Sequence, residues 1–217
     1  MGLDLLVGGC AKPGHEEEWR RLLERDFGNE KLTEADVARF DEISIPGYER
    51  VGAPRVGFDP AANAWIIEAR KATTPEQAAA ALKDFHGYYA LALVQCDGIS
   101  TFSRSDVTNE VDETSFCGEF LGECPDVLET GLLKTAWKNM WPAEAVAYGE
   151  ALLTAADRAQ GKTSPIAIRG LYWLLGKAGL NKTKSDLTLE QQLALVRAAG
   201  RWYVFWGERG HYIRASF

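Results

Sequence analysis

The sequence predicts an α+β fold, with a mixed or antiparallel sheet built from an N-terminal strand and hairpins, followed by a helical C-terminal half. Three observations predict it: an apolar run at residues 3–7, apolar segments paired around turn residues, and proline-initiated helical patterns in the second half. The 217 residues, 46% of them hydrophobic, suit one domain with a sizeable core. We expect that domain to span residues 1–217, with the sheet at about 1–124, helices at about 125–199 and a terminal β-hairpin at about 201–217.

The first half of the sequence begins with a strand signal and two helix signals. The run at residues 3–7 ends at two glycines, which is typical of a short buried strand. Residues 15–27 place Trp and Leu side chains at helical spacing, and glutamates fill the first turn, where the helix dipole favours carboxylates. Thr33 with Asp36 forms an approximate capping box, which predicts a second, shorter helix.

Two hairpins are predicted between these helices and the middle of the chain. Residues 55–58 and 64–69 flank a turn-rich segment that contains Asp, Pro and Asn. Residues 90–95 and 99–103 flank a Cys-Asp-Gly turn. Both pairs are rich in β-branched or aromatic side chains, and we expect them to add strands to the sheet.

The clearest local signal is a capped helix that begins after Thr74. Thr74 is a suitable N-cap, Pro75 takes the first helical position and Gln77 completes the capping box. Gly87 predicts the end of this helix. Residues 104–114 are polar and acidic without apolar periodicity, which predicts a long loop of functional or mobile character.

Proline residues begin most helices that we predict in the second half. X-Pro boundaries precede apolar segments with helical spacing at residues 124–125, 141–142 and 164–165. A capping box at Thr188 opens another helix that extends to about residue 199.

The final residues are ambiguous between helix and strand. Residues 201–206 could extend the preceding helix. Their aromatic and β-branched content, between glycines on both sides, favours a strand. Residues 211–217 would then return as its partner and complete the terminal hairpin.

The net charge of −7 argues against nucleic acid as a partner. The charge is unevenly spread, because residues 1–130 carry 25 acidic and 12 basic side chains whereas residues 131–217 carry 6 and 12. Four interpretations stay open: faces that attract each other across an interface, a cationic ligand site in the first part, an anionic ligand site in the last part, or solvated surfaces.

Several observations predict a cytoplasmic protein without a membrane span. The N-terminus lacks the basic region of a signal peptide, and no apolar run reaches the roughly 18 residues that a span needs. Four cysteines in a chain of this length do not form a disulfide framework, so reduced thiols are expected. The cysteines and histidines have none of the spacings of a zinc site, and we expect neither a metal nor a cofactor.

Four residues are candidates for catalysis. Cys117 is followed by Gly and Glu119, and His86 lies upstream as the imidazole that a nucleophilic cysteine needs. Asp97 lies in the predicted Cys-Asp-Gly turn, where a second carboxylate close by could support acid/base chemistry. Buried structural thiols and solvated acids are the alternative interpretation of the same residues.

Four further residues are candidates for binding. Tyr88 and Tyr89 are of the type enriched at interfaces and pockets, although aromatic residues also fill cores. Asp112 and Glu113 lie in the acidic loop and offer a negatively charged contact.

The opening Met-Gly-Leu-Asp resembles that of several sets of bacterial cytoplasmic proteins without a known activity. The segments at residues 114–121, 126–128 and 145–152 are similar to the same kind of protein. The resemblance implies a bacterial, intracellular origin. Because the sequence also lacks a catalytic signature, we expect a non-enzymatic binding, interaction or regulatory domain. It would have a protein partner or form a homo-oligomer. The alternative is a small hydrolase or transferase that uses residues 86–119.

Overall fold

The computed structural model describes residues 2–94, 115–162 and 185–217, and the fold is α+β, as the sequence predicts. The strands are β1 (Asp4–Val7), β2 (Cys10–Ala11), β3 (Ser44–Ile45), β4 (Ser115–Cys117) and β5 (Ile213–Ser216). The helices are α1 (Glu16–Phe27), α2 (Glu34–Glu42), α3 (Gly47–Arg50), α4 (Pro60–Ala69), α5 (Pro75–Asp84), α6 (Thr130–Thr135), α7 (Pro142–Lys162) and α8 (Leu189–Glu208), with 3₁₀ turns at Leu91–Leu93 and Gly118–Glu123.

A three-stranded antiparallel sheet has β1 at its centre, between β4 and β5. Leu5 lies opposite Phe116 on one side and Ala215 on the other. Successive strand residues point to opposite faces, so Leu5 is buried while Asp4 and Leu6 are exposed. β2 and β3 form a separate antiparallel pair.

The core of the second half is the antiparallel pair of α7 and α8. Trp202, Tyr203 and Trp206 of α8 are fully buried. The two helices approach closely where glycines meet, since an ideal Cβ on Gly149 would lie 2.6 Å from the carbonyl oxygen of Gly200. The sheet and this helix pair share one continuous hydrophobic core.

The predicted terminal hairpin is wrong. Residues 201–206 belong to α8, which continues to Glu208. The segment is buried over most of its surface, so its apolar residues lack the one-sided periodicity that identifies a helix. Residues Ile213–Ser216 do form a strand, but they pair with β1 instead of residues 201–206.

The first predicted hairpin is also wrong. Residues 64–69 lie in α4, which begins at Pro60 and buries Ala62 and Ile66 one helical turn apart. Proline at the first helical position was a helix signal within the segment that we interpreted as a turn. Of residues 55–58, Arg55 makes an isolated antiparallel bridge to Tyr89.

The second predicted hairpin is not found in the part that the structure describes. Residues 91–93 form a 3₁₀ turn instead of the first strand. The proposed return strand at 99–103, the acidic loop at 104–114 and the helix after 164–165 lie outside the described residues.

Local capping signals predicted the helix starts well. The capping boxes at Thr33, Thr74 and Thr188 are all confirmed, each with its side chain accepting from the backbone three residues on. α7 begins at Pro142 as expected. The predicted start of a helix at Pro125 is wrong, because α6 begins only at Thr130. Of the helices in the described ranges, none has the length and apolar character that crossing a bilayer requires.

Candidate functional site

A short backbone ladder brings two distant loop segments together beside α4 and α5. The amide of Val56 donates to the carbonyl of Tyr88 at 2.8 Å, and the amide of Gly87 donates to the carbonyl of Val56 at 2.8 Å. The amide of Ala90 donates to the carbonyl of Pro54 at 2.8 Å. Residues 54–56 and 87–90 are thereby held side by side, which places the exposed Arg55 next to Tyr89 while Val56 and Ala90 are buried beneath them.

Arg55 lies at the centre of this surface. Its guanidinium carbon lies 4.7 Å from the ring centroid of Phe58 and 5.2 Å from that of Tyr89. Its Nε donates to the carbonyl of Gly87 at 2.9 Å. Within the described ranges, no carboxylate pairs with this guanidinium, which is therefore oriented by rings and backbone but keeps its charge unpaired.

Two stacked tyrosines extend the surface on one side. The rings of Tyr48 and Tyr89 lie 4.1 Å apart at an interplanar angle of 27°. The hydroxyl of Tyr89 donates to the carboxylate of Glu49 at 2.9 Å. Desolvation and the neighbouring Glu49 carboxylate raise the pKa of Tyr89, so its hydroxyl stays neutral.

Phe58 and His86 extend the surface on the other side. Phe58 is 61% exposed, the second-highest value among the exposed large apolar side chains that the structure describes. Its ring centroid lies 5.1 Å from that of His86. An ideal Cβ on Gly57 would lie 2.4 Å from the His86 ring, so glycine at this position leaves room for the imidazole. We call Tyr48, Arg55, Phe58, His86 and Tyr89 the Arg55 surface.

The structure separates the predicted catalytic residues. His86 lies on the Arg55 surface, whereas Cys117 lies on β4, opposite Asp4 of β1. Burial raises the pKa of the Cys117 thiol, and the carboxylates of Asp4 and Glu119 raise it further. Glu119 is exposed in the following 3₁₀ turn. Asp97 lies outside the described residues.

The predicted binding residues separate as well. Tyr89 belongs to the Arg55 surface, but Tyr88 stacks on Trp65 with ring centroids 6.3 Å apart and packs against the small core around Val56. Asp112 and Glu113 lie outside the described residues. Tyr48, Arg55 and Phe58 of this surface were not predicted, because none of them lies in a motif and the ladder between residues 54–56 and 87–90 is a tertiary feature.

A cavity of about 340 Å³ is the second feature that could bind a ligand. It lies between α1, α2 and the β1–β5 side of the sheet, and the apolar side chains at its mouth include Leu6 and Val37, which are 41% and 47% exposed. The lining residues are Leu6, Val7, Gly8, Leu22, Asp26, Leu32, Val37, Phe40, Asp41, Tyr212 and Arg214.

His211, the residue before the cavity-lining Tyr212, is a buried neutral imidazole. Its Nδ1 lies 2.7 Å from the carbonyl oxygen of Gly8, to which it donates as the protonated ring nitrogen. Burial lowers the pKa of His211 to about 4. Its Nε2 is buried and has no hydrogen-bond partner among the described residues, a state that an uncharged ring nitrogen tolerates better than a charged one.

Comparisons with known proteins identified no relative of this chain. The scan against protein-family models, the search of curated proteins and the search of solved structures each gave no match to the chain. Within residues 2–94, 115–162 and 185–217, no three histidine, cysteine or acidic side chains converge as a metal site would require.

Proposed function

We propose that this chain is a non-enzymatic binding protein that holds a partner protein at the Arg55 surface. The observation that carries the proposal is the guanidinium of Arg55, which lies between the rings of Phe58 and Tyr89 without a carboxylate partner among the described residues. Arginine and aromatic residues are the types that concentrate at the centres of protein interfaces.

The chemistry of the surface favours an acidic segment with an apolar side chain beside its carboxylates. A guanidinium is a planar fork that recognises a carboxylate through paired hydrogen bonds. Only Nε of Arg55 is used by the Gly87 carbonyl, so the two terminal nitrogens are left for a partner. Phe58 supplies an exposed apolar contact next to them.

The ring contacts prepare Arg55 for binding. An isolated surface arginine loses side-chain entropy when a partner fixes it, which weakens binding. Here Phe58 and Tyr89 restrict the guanidinium in advance, and Tyr89 is itself held by Tyr48 and Glu49. Arg55 therefore loses less side-chain entropy when the partner binds.

The alternative of a small hydrolase or transferase has less support from the described residues. A nucleophilic cysteine needs a stabilised thiolate. At Cys117 burial and two carboxylates act in the opposite direction. His86, the imidazole expected to assist it, contacts Phe58 instead.

We also propose a bacterial cytoplasmic setting. The opening Met-Gly-Leu-Asp resembles that of bacterial cytoplasmic proteins. The cysteines that the structure describes, Cys10, Cys117 and Cys124, are free thiols, which is the usual state in a reducing compartment.

A peptide titration tests the binding proposal. The probe is a capped, fluorescein-labelled peptide of the form Glu-Glu-Phe-Glu-Glu, and the control peptide has every glutamate replaced by glutamine. We expect the wild-type chain to bind the acidic peptide, and the substitution Arg55→Gln to weaken binding by about fivefold or more, the effect of losing a charged hydrogen bond. Fluorescence anisotropy at fixed ionic strength measures both affinities.

Arg158→Gln is the matched control, because Arg158 is an exposed arginine on α7, away from the ladder that holds Arg55. It should leave the affinity unchanged while altering the net charge by the same amount. Equal binding of the two peptides, equal affinity of the Arg55→Gln variant, or no binding by the wild-type chain would each overturn the proposal.

A further inference from the structure

We infer that the cavity between α1 and α2 is a separate binding site for a small organic monocation, a primary ammonium group on a compact apolar body. The inference rests on residues that the Arg55 surface does not share, and it holds or fails independently of the proposed partner protein.

The charges that line the cavity leave one negative charge without a counterion. Asp26 forms an ion pair with Arg214, which neutralises both. Asp41 also lines the cavity, and its carboxylate has no hydrogen-bond or ion-pair partner among the described residues. A ligand with a single positive charge would neutralise the carboxylate of Asp41.

The walls of the cavity suit a cation as well. The rings of Phe40 and Tyr212 line it with centroids 6.3 Å apart. Trp19 supports both rings from behind, at 6.0 Å from each. The faces of aromatic rings carry negative potential and attract ammonium groups, most strongly where water is partly excluded.

The hydroxyl of Tyr212 gives the cavity a polar atom that a ligand can use. Burial raises the pKa of Tyr212, and the carboxylates of Asp26 and Asp41 raise it further while Arg214 lowers it, so the hydroxyl remains neutral. No described residue forms a hydrogen bond with it. A neutral hydroxyl can accept a hydrogen bond from an ammonium group.

The remaining lining limits the ligand to a compact apolar body. Leu22, Leu32 and Val37 supply aliphatic surface beside the charged groups. A volume of about 340 Å³ lies at the small end of ligand pockets, which favours a small ligand. An arylalkyl amine of roughly ten non-hydrogen atoms matches both the size and the polarity.

Glycine at position 8 fixes the aromatic wall. An ideal Cβ on Gly8 would lie 2.0 Å from the Tyr212 ring, so only glycine lets this ring lie against the β1 backbone. The amide of Gly8 donates to the carbonyl of Tyr212 at 2.9 Å, and its carbonyl accepts from His211. The wall is therefore pre-organised by contacts on both sides of Gly8.

The test is a titration followed by two-dimensional amide NMR, with 2-phenylethylamine as the probe. We expect the amine to shift the amide signals of Gly8 and Tyr212 in a saturable manner. The neutral 2-phenylethanol and the anionic 3-phenylpropionate should bind at least about fivefold more weakly, because neither carries a positive charge that could form an ion pair with Asp41. Binding of all three probes with equal affinity would indicate an apolar cavity only and would overturn the inference.

Asp41→Asn is the decisive variant, since it removes the charge and keeps the size of an exposed side chain. It should weaken amine binding by about fivefold or more and leave the affinity for 2-phenylethanol unchanged. Glu34→Gln, at an exposed position in the first turn of the same helix, is the matched control and should bind the amine as the wild type does. An unaltered amine affinity in the Asp41→Asn variant, or no shifts in the wild type, would contradict the inference.

Two further experiments distinguish a small-molecule cation from a protein side chain, and the cavity from the Arg55 surface. A capped peptide with one lysine tests whether a protein side chain is the true occupant, and tighter binding of this peptide than of the amine would overturn the assignment to a small molecule. Arg55→Gln should bind the amine normally, and Asp41→Asn should bind the acidic peptide normally. Loss of amine binding in the Arg55→Gln variant would show that the amine binds outside the cavity and would overturn the inference.

Discussion

His211 connects burial to pH dependence at the scale of one residue. Its imidazole is fully buried and its pKa falls from an ordinary 6.5 to about 4, because desolvation disfavours the charged ring. In the unfolded chain the same residue takes up a proton near its ordinary pKa. Between these two values the unfolded state binds more protons than the folded state, so the free energy of unfolding decreases as the pH falls.

Replacing His211 should remove this dependence. The stability contributed by the neutral imidazole is fully present above about pH 6.5 and is lost as the pH falls toward 4, by about 3 kcal/mol in total at 1.4 kcal/mol per pH unit. We expect the His211→Gln variant to lose less stability than the wild type between pH 7 and pH 4.5. Urea denaturation at a series of pH values measures the difference.

The exposed His86 supplies the control for this prediction. Carboxylates also titrate over the lower part of this range, and a His86→Gln variant keeps their contribution and that of His211. It should retain the loss of stability at low pH that the buried His211 causes. A His211→Gln profile parallel to that of the wild type would contradict the assignment of a buried neutral imidazole.

At the scale of elements, glycines decide how closely α7 and α8 pack. Gly149 lies where an added Cβ would meet the backbone carbonyl of Gly200 at 2.6 Å. An added Cβ on Gly207, the second-last residue of α8, would meet the carbonyl oxygen of Pro142 at 2.7 Å. Backbone atoms cannot move aside as a flexible side chain can, so a methyl group at these positions forces the helices apart.

Two alanine substitutions in α7 should therefore have opposite effects. Gly149→Ala should destabilise the fold by about 1–3 kcal/mol through overpacking, despite the better helix propensity of alanine. Gly161→Ala, at an exposed position of the same helix where no atom of the described residues lies within 4 Å of the new Cβ, should stabilise it by up to about 1 kcal/mol. Thermal or chemical denaturation compares the two, and equal shifts would contradict the close approach.

The same helices mark the limit of sequence prediction for the fold. Thr33, Thr74 and Thr188 could be recognised as helix starts, because a capping box lies within four consecutive residues. Residues 201–206 could not be assigned correctly, because burial of Trp202, Tyr203 and Trp206 removes the polar face and Gly200 reads as a helix end. Gly200 is instead required by its contact with α7, which no local pattern reveals.

At the scale of the whole molecule, β5 ties the sheet to the helical half. Ile213 lies opposite Val7 of β1, and its amide and carbonyl also bond to the backbone of Met140 at 3.0 and 2.8 Å. The side chain of Ile213 is fully buried in the core that sheet and helices share. This strand therefore joins elements that are distant along the chain.

Truncation of this side chain should weaken the whole fold. We expect Ile213→Ala to lower the free energy of unfolding by about 2–4 kcal/mol, because it leaves a cavity where sheet and helices meet. Phe217→Ala, at a position that is 67% exposed, should change it by about 0.5 kcal/mol or less. Urea titrations of both variants check this, and a small effect of Ile213→Ala would place β5 outside the cooperative core.

The candidate sites depend on the whole molecule in the same way. His86 and Tyr89 could be selected from the sequence by residue type, but their association with Arg55 depends on a ladder between segments about thirty residues apart. Residues of α2 and of the last strand line the cavity together. In the sequence, only the acidic excess of the first 130 residues indicated a cationic ligand. Such sites follow from tertiary contacts, which single-sequence patterns do not encode.

The proposed recognition of an acidic partner depends on the planar, ring-supported guanidinium of Arg55. The most direct test is the affinity of the Arg55→Lys variant for the acidic peptide, measured beside the wild type at one ionic strength. Lysine keeps the charge but lacks the fork and the ring stacking, so we predict binding weaker by about fivefold or more, with no change for Arg158→Lys. Equal affinity of the Arg55→Lys variant and the wild-type chain would contradict the account.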